Sequence, residues 1–307
     1  MSEYDVIVIG SGLAGLTAGL FAARCGLSTL VMESNIPGGH LISIEKIEDF
    51  PGFPDGVAGY ELCPTVQRQA ADQGAEFQRA EVQRLEARNR LWSVNTDEES
   101  HLAKAVIVAT GSTLKNLNIP GEERLMGRGV SHCASCDGPL YSGQTVGVVG
   151  GGDSALQEAL TLTNFAERVM LFHKGAHFSA QHTYLQRALD NPKITPRYQS
   201  VIEEVLGDEV VTGVRARDLA SAEIHQDELA GLFIYVGLQP NTGLLRGLVA
   251  LSESGHVPTD VSMKTQRDGL YAAGDIRQDS ARQAITSAGD GATAAVAAFR
   301  YIKETFR

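Results

Sequence analysis

Residues 4–34 read YDVIVIG, GSGLAG, LTAGLFAARCG and STLVMES in near-direct succession. A short, β-branched apolar run of the first kind forms a buried parallel strand. The apolar stretch behind the glycines reads as a helix that Gly26 ends, and a second strand then closes on Glu33. Gly10, Gly12 and Gly15 stand as G-x-G-x-x-G at the strand-to-helix turn. Each position carries its own demand: the first permits the tight turn, the second lets backbone approach a pyrophosphate, and the third lets helix and strand pack closely. The helix start presents free N–H groups to phosphate, and Glu33 can accept hydrogen bonds from a ribose. This pattern commits the N-terminal segment to a βαβ dinucleotide-binding unit.

The same logic recurs in QTVGVVGGGDSALQEALTL, where a strand meets Gly150, Gly152, Ser154 and Ala155, then a helix, then the strand ERVMLFHKG. Duplication of the unit implies two nucleotide sites and an α/β chain with two Rossmann-like domains. Two further strand ends belong with them. KAVIVATGS runs into Thr110 and Gly111, and GLYAAGDIR stops at Gly274 and Asp275, a carboxylate able to bind a cofactor's polyol or to cap the next helix. A length of 307 residues with 43% hydrophobic side chains suffices for two cores. A net charge of −11 argues against a nucleic-acid or anionic-membrane surface. The start MSEYDVIVIG has no basic n-region, and no apolar run approaches bilayer length. Four cysteines are too few for a secreted disulfide scaffold, so the expectation is a cytoplasmic protein.

SHCASCDGPL at 131–140 places Cys133 and Cys136 two residues apart. A Cys₄ zinc site wants a second close pair, and the other cysteines, Cys25 and Cys63, do not supply one. His132 as a third ligand leaves the cluster short of a partner motif, and no metal is assigned. A structural bridge of this span constrains little of the unfolded chain. Cys25 and Cys63 read most simply as small packing residues.

Several stretches together resemble the bacterial low-molecular-weight thioredoxin reductases, FAD-dependent disulfide reductases. They are GSGLAG, PGGHLISIEKIEDFPGFP, ATGS, HCASCDG, GGGDSA, NPKI, GLQPNT and GLYAAGDIRQDSARQAITSAGDGATAA. The resemblance implies an FAD domain from residues 1–115 and 246–307 and an inserted pyridine-nucleotide domain, 116–245, that carries the dithiol. It implies a homodimer and a thioredoxin-like partner. The dithiol is then redox-active, with Cys136 facing the flavin and Cys133 attacking the substrate disulfide. Asp137 occupies the acid/base position; its plainer reading is a turn residue before Gly138 and Pro139. His132 reads as a surface histidine. On the flavin side the resemblance assigns Gly10, Gly12 and Gly15 to the pyrophosphate, Glu33 to the ribose and Asp275 to the ribityl chain. It places Gly39 and His40 near the cofactor, Arg282, Gln283 and Ala284 beside the isoalloxazine, and Asp49 where relatives often have asparagine.

One stretch departs from the resemblance. Relatives follow the second βαβ unit with His-Arg-Arg and a further arginine, which grip the 2′-phosphate of NADPH. Here the run is His173, Lys174, Gly175, Ala176, His177, Phe178, Ser179. No strand-end acid replaces the grip to favour NADH. The expected donor is therefore NADPH or NADH with weakened recognition, with ferredoxin or another flavoprotein as the alternative. A dithiol oxidase that delivers electrons to oxygen and a redox sensor that does not turn over are the remaining readings.

Overall fold

A computed structural model describes residues 2–306. Its contacts divide the chain into two compact units, one running as far as Thr113 and resuming at Gln239, the other comprising Leu114–Leu238.

In the first unit the strand Glu3–Ile9 lies at the centre of a seven-stranded sheet, parallel to Thr29–Glu33 on one side and to Ser100–Val108 on the other. Val6, Ile7 and Val8 are fully buried, as a parallel strand covered on both faces requires. Ser100–Val108 is shared along its other edge. Its beginning pairs antiparallel with Leu91–Asn95, while Val106–Val108 pair parallel with Leu270–Ala272. Ile9 and Ala272 are both in register with Val108. Three strand ends therefore emerge side by side at the carboxyl edge of the sheet, the place where open α/β sheets bind ligands.

The long helix Ala284–Thr305 packs on Leu13–Arg24 through small side chains, among them Ala14, Ala18, Ala294 and Ala298. The approach is so close that a methyl on Gly291 would overlap the Ala14 carbonyl oxygen. Cys63 is buried, 3.7 Å from the Gly38 carbonyl oxygen, and burial pushes its thiol up to about 11. Cys25 caps the first helix and is only half-buried.

The second unit holds a five-stranded parallel sheet in the order Ile194–Arg197, Arg168–Phe172, Thr145–Gly150, Gly231–Tyr235, Val130–Ser131. A separate antiparallel sheet is formed by Ser200–Leu206, Gly213–Asp218 and Ile224–Glu228. The cysteine pair directly follows the short edge strand Val130–Ser131, and Ala134 between the cysteines is part of the unit's core. The division falls at 113/114 and 238/239 rather than at the sequence-based 115/116 and 245/246. Residues 239–245 group with the first unit because Asn241 hydrogen-bonds the Thr110–Gly111 backbone and Leu245 packs among Leu270 and Ile276.

Gly291→Ala forces the two helices apart or distorts one of them. Its chemical denaturation should show a loss of roughly 1–3 kcal/mol, the usual cost of overpacking, with an unchanged denaturant slope.

Candidate active site

The first glycine loop divides its labour among its three glycines. Gly10 sits at φ +98°, and a side chain there would meet the Ala109 carbonyl oxygen. A methyl on Gly15 would overlap the Gly10 carbonyl oxygen, so only glycine lets the helix start this close to the strand. Gly12 has open space where a side chain would stand, which leaves its backbone accessible to a ligand. Glu33 is held against the loop. Its Oε2 accepts the Ser11 N–H at 2.8 Å and the Ser11 hydroxyl at 2.9 Å, while Oε1 accepts the Asn35 N–H at 3.0 Å. This arrangement fixes a carboxylate beside the open glycine, as a ribose diol next to a pyrophosphate demands.

The other strand ends converge on the same edge. Thr110 donates its hydroxyl to the Asn241 carbonyl at 2.7 Å, and the Asn241 amide donates back to Thr110 at 3.0 Å. His40, on the turn Gly39–Ser43, bonds through Nε2 to the Ser112 carbonyl, while the Ser112 hydroxyl is buried without a partner among the described residues. Asp275 follows Gly274 and accepts a 3.4 Å hydrogen bond from Ser287. Burial raises its pKa above the ordinary carboxylate value, while the Ser287 bond and the charges of His40 and Arg282 oppose that shift. The turn itself is pinned by Asp290, which accepts the Gly274 N–H at 3.2 Å and grips the Arg277 guanidinium at 2.9 and 3.2 Å. Arg282 is exposed at φ +56°, and Gln283 caps the last helix in a capping box with Thr286, ahead of buried Ala284. Asp49 lies exposed on the loop between the bridged residues Ile47 and Val57. Thus Glu33, His40, Thr110, Asp275 and Arg282 all border the carboxyl edge or the segments packed on it. Asn241, Arg277 and Asp290 were not expected there; the only sequence hint for Asn241 is its position in GLQPNT.

In the second unit Cys133 and Cys136 are joined by a disulfide. They sit on the single helical turn Ala134–Asp137, with Cys133 as N-cap. Cys133 Sγ accepts the Cys136 N–H at 3.2 Å and lies 3.5 Å from the Ser135 hydroxyl. The Ser131 hydroxyl accepts the Cys133 N–H at 3.0 Å, and the Tyr235 hydroxyl accepts the Ala134 N–H at 3.2 Å. Cys136 is exposed and Cys133 half-buried. Asp137 donates its N–H to the Cys133 carbonyl at 3.1 Å, and its charge reaches the phenols of Tyr141 and Tyr235, whose pKa values burial raises. His132 is half-buried with Nδ1 2.9 Å from the Ile234 carbonyl oxygen, more engaged than a plain surface histidine.

The second glycine loop repeats the first. Gly150 lies at φ +152° against the Tyr235 carbonyl and the Ala155 side chain, while Gly152 faces open space up to the Ser179 hydroxyl at 4.0 Å. Ser154 is exposed on the helix start and Ala155 buried. His173 packs its ring on Gly151 and has Nε2 2.9 Å from the His177 carbonyl oxygen. Its ring stacks obliquely on Phe178 at 5.1 Å, which in turn meets Tyr198 at 4.8 Å. Ser179 donates both N–H and hydroxyl to the Gly151 carbonyl, at 2.8 and 3.2 Å. The segment therefore folds onto the glycine loop, with Lys174 exposed.

Two dinucleotide-type folds, one of them carrying a cysteine pair beside its own nucleotide loop, define an oxidoreductase that exchanges electrons with disulfides. The sequence matches the pyridine nucleotide-disulphide oxidoreductase family over residues 4–291, and the chain belongs to that family. It is 38% identical over 301 residues to the thioredoxin reductase of Treponema pallidum, covering 98% of each chain. It is 41% identical over 302 residues to that of Mycolicibacterium smegmatis, covering 98% of this chain and 97% of the relative. Among solved structures, Lactococcus lactis thioredoxin reductase superposes with a TM-score of 0.96 at 37% identity, over 98% of this chain and 99% of that one.

The raised Asp275 carboxyl gives a signed expectation. A carboxyl whose folded pKa is raised makes the native state bind more protons, so stability falls as pH climbs from the ordinary value through the raised one. In the cofactor-free chain, Asp275→Asn should therefore raise the thermal midpoint at pH 7 and lose that advantage near pH 3, below the ordinary carboxyl range. Thermal scans across that range check it.

Proposed function

We propose that this chain is a thioredoxin-type disulfide reductase that passes electrons from a nicotinamide donor through FAD to Cys133 and Cys136, and on to the disulfide of a thioredoxin-like protein. The observation that carries this reading is the cysteine pair on a hydrogen-bonded turn in the same unit as the open second glycine loop. The residues of the first unit fit FAD. Open Gly12 suits the pyrophosphate, the Ser11-anchored Glu33 the ribose, and buried Asp275 the ribityl hydroxyls. The start of the helix Ala284–Thr305 suits the ring. When bound there, FAD supplies a two-electron carrier between donor and dithiol.

The chain's own residues do the rest. Two electrons break the Cys133–Cys136 bond and leave a thiol and a thiolate. Cys133 is assigned the attack on the substrate because its sulfur already accepts an N–H that would stabilise a thiolate. That attack expels one substrate sulfur and forms a mixed disulfide. Cys136 then attacks Cys133, re-forming the internal bond and releasing the substrate as a dithiol. Asp137, one residue on, hands a proton to the departing sulfur. A homodimer follows the family resemblance and is open to light scattering. A cytoplasmic site rests on the sparse cysteine content. Among the described residues no helix is long and apolar enough to cross a membrane.

The donor has a second reading. Hydrogen bonds to a charged group contribute about 1.5–3 kcal/mol each, so the missing arginine forks should weaken NADPH binding by roughly 3–6 kcal/mol, about two to four decades. Lys174 offers only a point charge. The His173–Phe178–Tyr198 cluster closes the segment without presenting a phosphate grip. A protein donor such as ferredoxin is favoured to that extent. Anaerobic titration of the flavin with NADPH, NADH and reduced ferredoxin decides among them.

Two expectations follow. Cys133→Ser and Cys136→Ser should each abolish disulfide turnover while FAD stays bound. Only Cys136→Ser should lose the thiolate–flavin charge-transfer absorbance on reduction, and normal turnover in both variants would sink the reading. Wild type should show poor NADPH efficiency with little preference over NADH. Arginine at Ser179 and at Gly175, where the new side chain must displace the His173 ring, should raise NADPH efficiency selectively. A micromolar NADPH KM with strong discrimination against NADH would refute the weakened grip.

A further inference from the structure

Tyr235 ends the strand Gly231–Tyr235 in register with Gly150 and is only 7% exposed. Its backbone carbonyl closes on the second glycine loop, and its side chain turns to the cysteine pair. The phenol accepts the Ala134 N–H at 3.2 Å, and burial together with the neighbouring Glu158 carboxylate, on the helix Asp153–Leu162, raises its pKa. The charge of Asp137 reaches the same phenol. Ala134 is the first residue of a helical turn, so its N–H has no intrahelical partner, and it is 0% exposed, so water cannot replace one. Without the Tyr235 hydroxyl that donor would stand buried and unpaired. A carboxylate beside the phenol draws the O–H towards itself, which leaves the oxygen's lone pairs for the Ala134 N–H.

We propose that Tyr235, oriented by Glu158, is a positioning residue for the dithiol: it holds the turn so that the two sulfurs stay at bonding distance after the disulfide opens. The proposal rests on the redox role of Cys133 and Cys136 given above. In the oxidised state the S–S bond already closes the turn, and the Ala134 bond adds little order. In the reduced state hydrogen bonds alone hold the sulfurs together, so the anchor sets their effective concentration. The direction of its loss follows. A buried unpaired N–H is trapped in the covalently closed turn and is released when the turn opens, so removing the hydroxyl favours the dithiol over the disulfide.

The test is the equilibrium of the full-chain holoenzyme with glutathione: enzyme dithiol plus oxidised glutathione gives enzyme disulfide plus two reduced glutathiones. It is read by acid quench, alkylation and the mass of the peptide bearing Cys133 and Cys136, and it needs neither donor nor protein substrate. Tyr235→Phe keeps the ring and removes the hydroxyl. Its equilibrium constant for disulfide formation should fall on the order of tenfold, the scale of one unpaired buried donor, or about 30 mV for a two-electron couple. Glu158→Ala should fall similarly. Glu158→Gln, whose amide oxygen still accepts the phenol proton, should stay within about threefold of wild type. A Tyr235→Phe constant within about twofold of wild type, whatever its thermal midpoint, overturns the proposal and leaves Tyr235 a packing residue. If Tyr235→Phe does not fold, equal constants for Glu158→Ala and Glu158→Gln overturn it instead. Wild type that forms no equilibrium at these cysteines sinks the dithiol reading itself, and this proposal with it.

Discussion

The helix Leu13–Arg24 can begin where it does only because two backbones touch. Gly15 lies against the Gly10 carbonyl with no room for a methyl group, and Gly10 turns through a left-handed conformation to allow it. That contact docks the helix on its own strand and leaves Gly12 facing open space. From it follows the placing of Glu33 through Ser11, because the carboxylate reaches a loop that cannot move away. The second unit solves the same problem with Ala155 packed against Gly150, whose other neighbour is the Tyr235 carbonyl. In both units the strand ends gather at one edge because parallel strands share a direction, and the polar groups that end them have nowhere else to go.

Two kinds of polar support surround these loops. The Gly274–Asp275 turn is secured by an ion pair that is mostly removed from water, with Arg277 and Asp290 also meeting the Gly274 N–H. Such a pair is costly to break from one side because the remaining charge is left buried. The cysteine turn is secured by hydroxyls instead, from Ser131 and Tyr235. Neutral donors and acceptors suit a place where charge must appear and vanish on sulfur, since they adapt to both states without a fixed counter-charge.

Most of the architecture was legible because it rests on local pattern. The β-branched runs, the glycine spacings and the acidic strand end at Glu33 are short-range signals, and the duplicated unit announced the second sheet. What escaped depends on partners distant in sequence. Tyr235 sits in GLFIYVG, which reads as the end of an apolar strand, and nothing in that run says that its hydroxyl meets Ala134, about a hundred residues earlier. Asn241 likewise binds Thr110 across 131 positions, which moves residues 239–245 from one unit to the other. Arg277 and Asp290 are an ordinary basic and acidic residue until the last helix folds back on the turn. His132 was read as a surface group because sequence does not reveal that the Ile234 carbonyl lies within reach.

The strand Ser100–Val108 takes its last parallel neighbour from Leu270–Ala272, and the helix that covers the first glycine loop's helix begins only at Ala284. During synthesis, therefore, the first unit has an open edge beside Val106–Val108 while all of Leu114–Leu238 is being made. That later stretch carries every pairing partner of the strands in its two sheets and can fold as soon as it leaves the ribosome. The order of folding thus inverts the order of translation, and an apolar strand edge waits unpaired in the nascent chain. Premature termination between residues 238 and 270 would release a finished second unit tethered to an incomplete sheet, a species prone to pairing with its own kind.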